Sequence, residues 1–492
     1  MHGLAVIAVI ALLATTVGMG LYGLRFARTT SDFFVASRSL RPFANATAIS
    51  GEYLSAASFM GIAGLVMVYG IDMLWYPVGY TVGYLVLLVL IAAPLRRSGA
   101  YTLPDFAETR MESRLVRRIA SVLVVSIGWL YLLPQMQAAG LTLHLMTGAP
   151  VASGGIVVAV AVGLTVMAGG MRSITLVQSF QYWLKLVAIS VPAVLIAWAW
   201  TRAGSPALGV EGWSEPLSGF GGRDHPVYSN VSLVLATFLG TMGLPHVLVR
   251  FYTIRNGRAA RRTTLNVLML LSAFYLFPPI LGALGRHYAP DLIGSGQADT
   301  VVLELPSRVF DGVGGELLTA LVSAGAFAAF LSTASGLVLS TAGVISQDLL
   351  AKRLGSVRGF RVGTLVAVIV PICVGLVLQG ASLAEMVAMA FAVAASTFCP
   401  LLVLGIWWRD LSTAGAVAGL VTGGVTSLGA VLTALFLPTT GLLHTVLVQP
   451  AAWTVPLAFL AMVVVSRRTP RLIPANAAVT LGRLHTPDKF VD

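Results

Sequence analysis

Charge is what this sequence has least of. Only 10% of its 492 residues are Asp, Glu, Lys or Arg, where a soluble chain of this length carries about a quarter. Cysteine is almost absent. Cys373 and Cys399 both lie in apolar runs, which excludes a disulfide framework and a thiolate metal site. The seven histidines, His2, His144, His225, His246, His287, His444 and His485, form no HExxH or other ligand pair. No cluster of carboxylates lies in the apolar segments and no Walker motif occurs. A metalloenzyme and a nucleotide-driven pump are therefore disfavoured.

What is present is apolar length. Hydrophobic residues make up 57% of the chain, and mean hydropathy is +0.88. Runs of twenty or so apolar residues recur, each long enough to cross ~30 Å of hydrocarbon. The fold class is all-α and polytopic, since a membrane β-barrel would show alternating ten-residue segments. We place thirteen spans at about 2–24, 43–68, 72–93, 119–146, 151–168, 174–201, 229–250, 265–286, 313–345, 361–379, 383–408, 412–436 and 444–466. The first is no signal peptide, lacking a basic leader and a small-residue cleavage site.

Charge tests the count, because cytoplasmic loops collect Lys and Arg. One alternate set of loops holds 26 of the 31 basic residues. It includes Arg25, Arg28, Arg38 and Arg41, the arginines of 94–118 and of 250–264, and Lys352 and Arg353. The other set holds Arg202, Arg223, Arg286 and Arg308, and Lys185 falls inside a span. The N-terminus is thus expected outside and the C-terminus inside, with a basic cytoplasmic tail over 467–492. The net charge of +12 reads as topology and attraction to anionic membrane lipid; it is too dispersed for a nucleic-acid partner. Oligomeric state is not readable.

Two spans are interrupted. Span 2 contains "SGEYLSAASFMG" (50–61), and span 7 contains "FLGTMGLPHVLVRF", with Gly240, Gly243 and Pro245 near its middle. Proline removes a backbone hydrogen bond, and such a break is tolerated in lipid only where the freed backbone meets protein, water or ligand. One such helix reads most simply as a kink. Two, five spans apart and in opposite orientation, match inverted-repeat secondary transporters, in which solute and coupling ion bind near the midplane. Repeat 1 then covers about 43–201 and repeat 2 about 229–408 of a transporter domain over 1–466, with spans 1, 12 and 13 as additions. Span 9 adds adjacent hydroxyls, Ser332 and Thr333. Small hydroxyl residues serve helix packing, and their oxygens also suit a hard cation.

These residues are where a resemblance enters. The chain resembles the sodium:solute symporter family, and within it the bacterial cation/acetate symporters. The likeness runs from "SDFFVASRSL" (31–40) to span 11 and is closest over "GEYLSAASFMGIAGL" (51–65), "GTMGLPHVLVRFYT" (240–253) and "STAGVISQDL" (340–349). It implies a thirteen-helix, leucine-transporter-type fold and symport of a short monocarboxylate such as acetate, propionate or pyruvate. It implies no cofactor beyond a coupling ion, Na+ or alternatively H+. It also implies a sodium site at the carbonyls of Gly51, Leu54 and Ala329 and the hydroxyls of Ser332 and Thr333. Two acidic positions of sugar- and proline-type members are filled here by Tyr53 and Gln178, with the acid displaced to Glu52; both departures favour the carboxylate branch.

Glu52 is costly at the bilayer centre unless paired, hydrated or protonated. Three roles are open. It accepts freed N–H groups at the break, it lends field or a ligand to a cation path with Gln178, or it carries a proton. Lys185 is a distant partner or snorkels to the surface. For the solute, N–H groups at the broken ends suit a small anion. Tyr53, Ser55, Ser58, Thr241 and His246 are the polar candidates, and Tyr76, with Trp75 and Tyr80, offers an apolar wall.

Overall fold

The computed structural model describes residues 3–22, 40–350, 356–377 and 382–487. Residues 31–39 of the "SDFFVASRSL" stretch lie outside the described residues, as do Arg25, Arg28, Arg38, Lys352 and Arg353. Among the described residues the chain is helical without a strand; one isolated parallel bridge joins Leu40 and Ile254. Twelve helices are long and apolar enough to cross a membrane. The longest segment, Ala57–Arg97, turns through a short 3-10 stretch, Gly70–Leu74, and supplies both the second half of span 2 and all of span 3. Thirteen expected spans and twelve observed segments are therefore the same architecture.

The boundaries follow local chemistry. Pro42 opens Pro42–Tyr53 at its first turn, where its missing N–H would be unsatisfied in any case. Thr102, Ser113, Asn256 and Ser412 each cap a helix N-terminus through the side chain. Spans 5 and 6 are two helices, Val151–Ala168 and Gly170–Arg202, joined at a break where Gly170 has φ of 58°. That angle lies in the left-handed region, which glycine adopts without steric cost.

Both expected breaks are present. In span 2 the helix Pro42–Tyr53 ends, Leu54 and Ser55 leave helical geometry, and a π turn, Ala57–Gly61, resumes the path. In span 7, Pro226–Thr241 ends and Pro245–Val249 restarts, with Met242–Leu244 between them. Span 9, Gly312–Val344, lies at the centre and is buried almost throughout its second half. It packs against span 6 and touches the broken span 2. Gly51 sits where a side chain would overlap the carbonyl oxygen of Gln178. Its lack of a Cβ therefore brings the backbones of spans 2 and 6 together at the break.

Candidate functional site

The site forms where the break of span 2 faces spans 6, 7 and 9. At the break the carbonyls of Gly51 and Leu54 lose helical partners, and both accept from Lys185 Nζ, Leu54 at 2.8 Å. The third N–H of Lys185 reaches Ser332 Oγ at 2.9 Å. An ammonium has three donors, and here each meets an oxygen. Ser332 Oγ in turn donates toward Gly51 O (2.7 Å) or Ala329 O (3.1 Å). Thr333 Oγ1 donates to Glu52 O at 2.6 Å.

The expected cation residues therefore do come together. Gly51, Leu54 and Ser332 hold the lysine ammonium, Ala329 joins through Ser332, and Thr333 turns to the neighbouring carbonyl of Glu52. Lys185 does not snorkel, as it is 0% exposed. That expectation is corrected by geometry, since its stem is short of any surface and three backbone or hydroxyl oxygens offer a closer home.

For Glu52, the first of the three open roles is not seen in the structure. Its carboxylate does not take up freed backbone N–H groups; Oε2 accepts from Arg250 Nε at 2.9 Å, with both side chains 1% exposed. Among the printed bonds of Arg250, Nη1 donates to Thr175 Oγ1 at 2.7 Å and Nη2 to Gln178 Oε1. Gln178 then donates to Ser332 O at 2.8 Å. Gln178 thus links the ion pair to the lysine cage. Arg250 itself was absorbed into the count of loop cations. The signal that could have singled it out is its place five residues after Pro245, on the restarted half of span 7.

On the other side of the break lies a packed aromatic cluster. Tyr53 OH pairs with Thr241 Oγ1 at 2.8 Å, joining the two broken helices. Its ring meets Tyr84 at 4.8 Å, Tyr80 at 5.8 Å and Phe391 at 6.0 Å, edge to face. Tyr76 lies 6.1 Å from Tyr80, and Ser58 Oγ bonds Tyr275 OH at 2.9 Å. His246 faces Tyr131 at 5.2 Å. Ser55 is fully buried at the break, and Gln135 Oε1 accepts from Ala56 N at 3.0 Å. Trp75 drops out of the expected wall: it is 44% exposed, at the turn between spans 2 and 3. Tyr84, Tyr131, Gln135 and Tyr275 were missed, since a tyrosine in an apolar span is most often packing or interface material. Tyr80 OH, Tyr84 OH and both ring nitrogens of His246 are buried with no hydrogen-bond partner.

Two interrupted helices joined by the Tyr53–Thr241 bond, with a buried aromatic cluster beside the break and a group of carbonyl and hydroxyl oxygens behind it, match a secondary transporter of the leucine-transporter fold. The solved structures agree on the fold. A Na+-coupled sialic acid symporter in a substrate-bound outward-open state aligns with a TM-score of 0.72 at 15% identity, covering 96% of this chain and 99% of that one. Mhp1, a nucleobase-cation-symport-1 family transporter in a closed conformation, aligns at 0.57 and 17% identity, covering 92% and 99%. A Bacillus subtilis (strain 168) protein described as the uncharacterized symporter YwcA is 30% identical over 442 residues, 87% of this chain and 86% of that one. The family model for the sodium:solute symporter family matches residues 33–423. The chain belongs to that family. It is a multi-pass membrane symporter and not an enzyme.

Proposed function

We propose that this protein carries a short monocarboxylate, such as acetate, propionate or pyruvate, across the plasma membrane by cation-driven symport. The observation that supports the anion is the set of buried hydrogen-bonding groups beside the interrupted ends of spans 2 and 7, where freed backbone N–H groups suit a small anion. Tyr53, Ser55, Ser58, Tyr76, Thr241 and His246 form the proposed solute-binding set, with the unpartnered hydroxyl of Tyr80 and ring nitrogens of His246 as hydrogen-bonding groups for it. The rings of Tyr53, Tyr76 and Tyr80 beside this set suit contact with a short alkyl chain.

For the coupling ion, Na+ follows the family and the Na+-coupled sialic acid symporter of the same fold. H+ is the second reading, favoured by the lysine amine lying on the oxygens that a metal ion would use. Residues 43–201 and 229–408 are the two halves proposed to rock about the site, with the N-terminus outside, the C-terminus inside and membrane lipid around both.

The test is uptake of labelled acetate, propionate and pyruvate into proteoliposomes under an imposed Na+ gradient, an imposed H+ gradient, both or neither. Accumulation of at least one acid under one of the gradients is expected. Failure of all three acids under every gradient would refute the substrate class.

A further inference from the structure

We propose that the amine of Lys185 stands where a sodium ion would bind, so that Na+ does not occupy the cage of Gly51, Leu54, Ala329, Ser332 and Thr333 during transport. This rests on the cation-site part of the reading above and decides which cation fills it. Three independent features point the same way. First, Nζ takes the carbonyls of Gly51 and Leu54 and the hydroxyl of Ser332 together, which are three of the five oxygens in question. Second, the lysine is held there from both sides. It projects from span 6 and is wholly buried, and Gln178, two turns earlier on the same helix, ties that helix to Ser332 O at 2.8 Å. Third, Nζ lies within hydrogen-bond distance of three of these oxygens at once, so a metal ion drawing them in as ligands would meet the amine.

The amine bridges spans 2, 6 and 9 at the break through a side chain of the protein itself, where an exchangeable ion would bridge them only when bound.

The experiment is equilibrium binding of radioactive Na+ to the purified full-length protein in detergent, without solute, for the wild type, Ser332→Ala, Lys185→Ala and the Lys185→Ala/Ser332→Ala double variant. The wild type is expected to show no Na+ binding that Ser332→Ala removes. Lys185→Ala vacates the cage, so saturable binding emerges, and Ser332→Ala in that background weakens it about ten- to a hundredfold, as loss of one charge-assisted contact does. Saturable wild-type binding abolished by Ser332→Ala overturns the proposal. A monodisperse Lys185→Ala protein that binds no Na+ also overturns it, because the oxygens are then no cation cage. If Lys185→Ala does not fold, the wild-type and Ser332→Ala comparison still decides. Since no solute is present, the outcome is independent of whether the monocarboxylate reading survives the uptake assay.

Discussion

Glu52 and Arg250 stand 198 positions apart in the chain and meet at 2.9 Å in its interior. Neither is stable there alone. Removing one partner of a buried pair leaves an uncompensated charge and costs about 3–5 kcal/mol, whereas replacing both with neutral groups of similar volume costs far less. Arg250→Met is therefore expected to lower the unfolding temperature of the purified protein sharply. Glu52→Gln with Arg250→Met should recover much of it. Thermal melts of the two single variants and the double variant check this; a double variant as unstable as Arg250→Met would mean that the arginine acts through Thr175 and Gln178 instead. Beside the pair, Gly336 matters for its size. A methyl group there would overlap Oε1 of Glu52, so Gly336→Ala should cost about 1–3 kcal/mol as overpacking does, read in the same melts.

At the scale of elements, the breaks depend on what is packed outside them. The start of span 11 is pinned by Asp299, whose Oδ2 accepts from Leu383 N at 3.0 Å, and the same residue lies against Gly64 of span 2. Asp299 belongs to the connection before span 9, outside the membrane-spanning segments. Loss of water pushes its carboxyl up to about 6, against an ordinary value of 3.8, while the bond from Leu383 N pulls the other way. The folded form therefore holds a proton that the unfolded form has already released between about pH 4 and pH 6. The stabilisation is complete below that window and is lost as pH rises through it. Melts of wild type and Asp299→Asn across pH 4 to 7 should show the wild type losing stability with rising pH relative to the variant. Parallel curves would count against the assignment. On the side that the charge pattern assigns to the cytoplasm, Arg117 gathers Asp105 at 2.8 Å, Glu108 at 2.6 Å and Asp348 at 2.7 Å. That cluster ties the connection between spans 3 and 4 to the end of span 9.

For the whole molecule, the arrangement of broken helices around one central site calls for a gradient and not for nucleotide hydrolysis. Uptake that persists with both Na+ and H+ gradients collapsed, yet requires ATP, would contradict it. Orientation is checked separately. Thr147 is exposed at the end of Arg114–Thr147 and lies in an arginine-free connection. A cysteine placed there, in a background without Cys373 and Cys399, should react with an impermeant maleimide in intact cells. Protection until lysis would reverse the topology.

The sequence by itself determined the membrane-spanning helices, the two interruptions and the kinship. Apolar length, Pro245 and the glycines around both breaks are local properties, and local properties are written in order along the chain. The family resemblance also pointed to Gly51 and Leu54 on one helix and Ala329, Ser332 and Thr333 on another, and the structure brings these residues together. What the sequence could not determine was which cation faces them. Lys185 and Arg250 look alike in sequence, each a basic residue at or near a span end or centre, and composition supports snorkelling for the one and a loop role for the other. Only the tertiary structure decided, because the approach of spans 2 and 6 at Gly51 puts the reach of a lysine side chain on the carbonyls freed by the break. The restart of span 7 likewise turns Arg250 inward onto Glu52. A buried charge takes its partner from whatever the packing brings within about 3 Å, and that distance is not recorded in the order of residues.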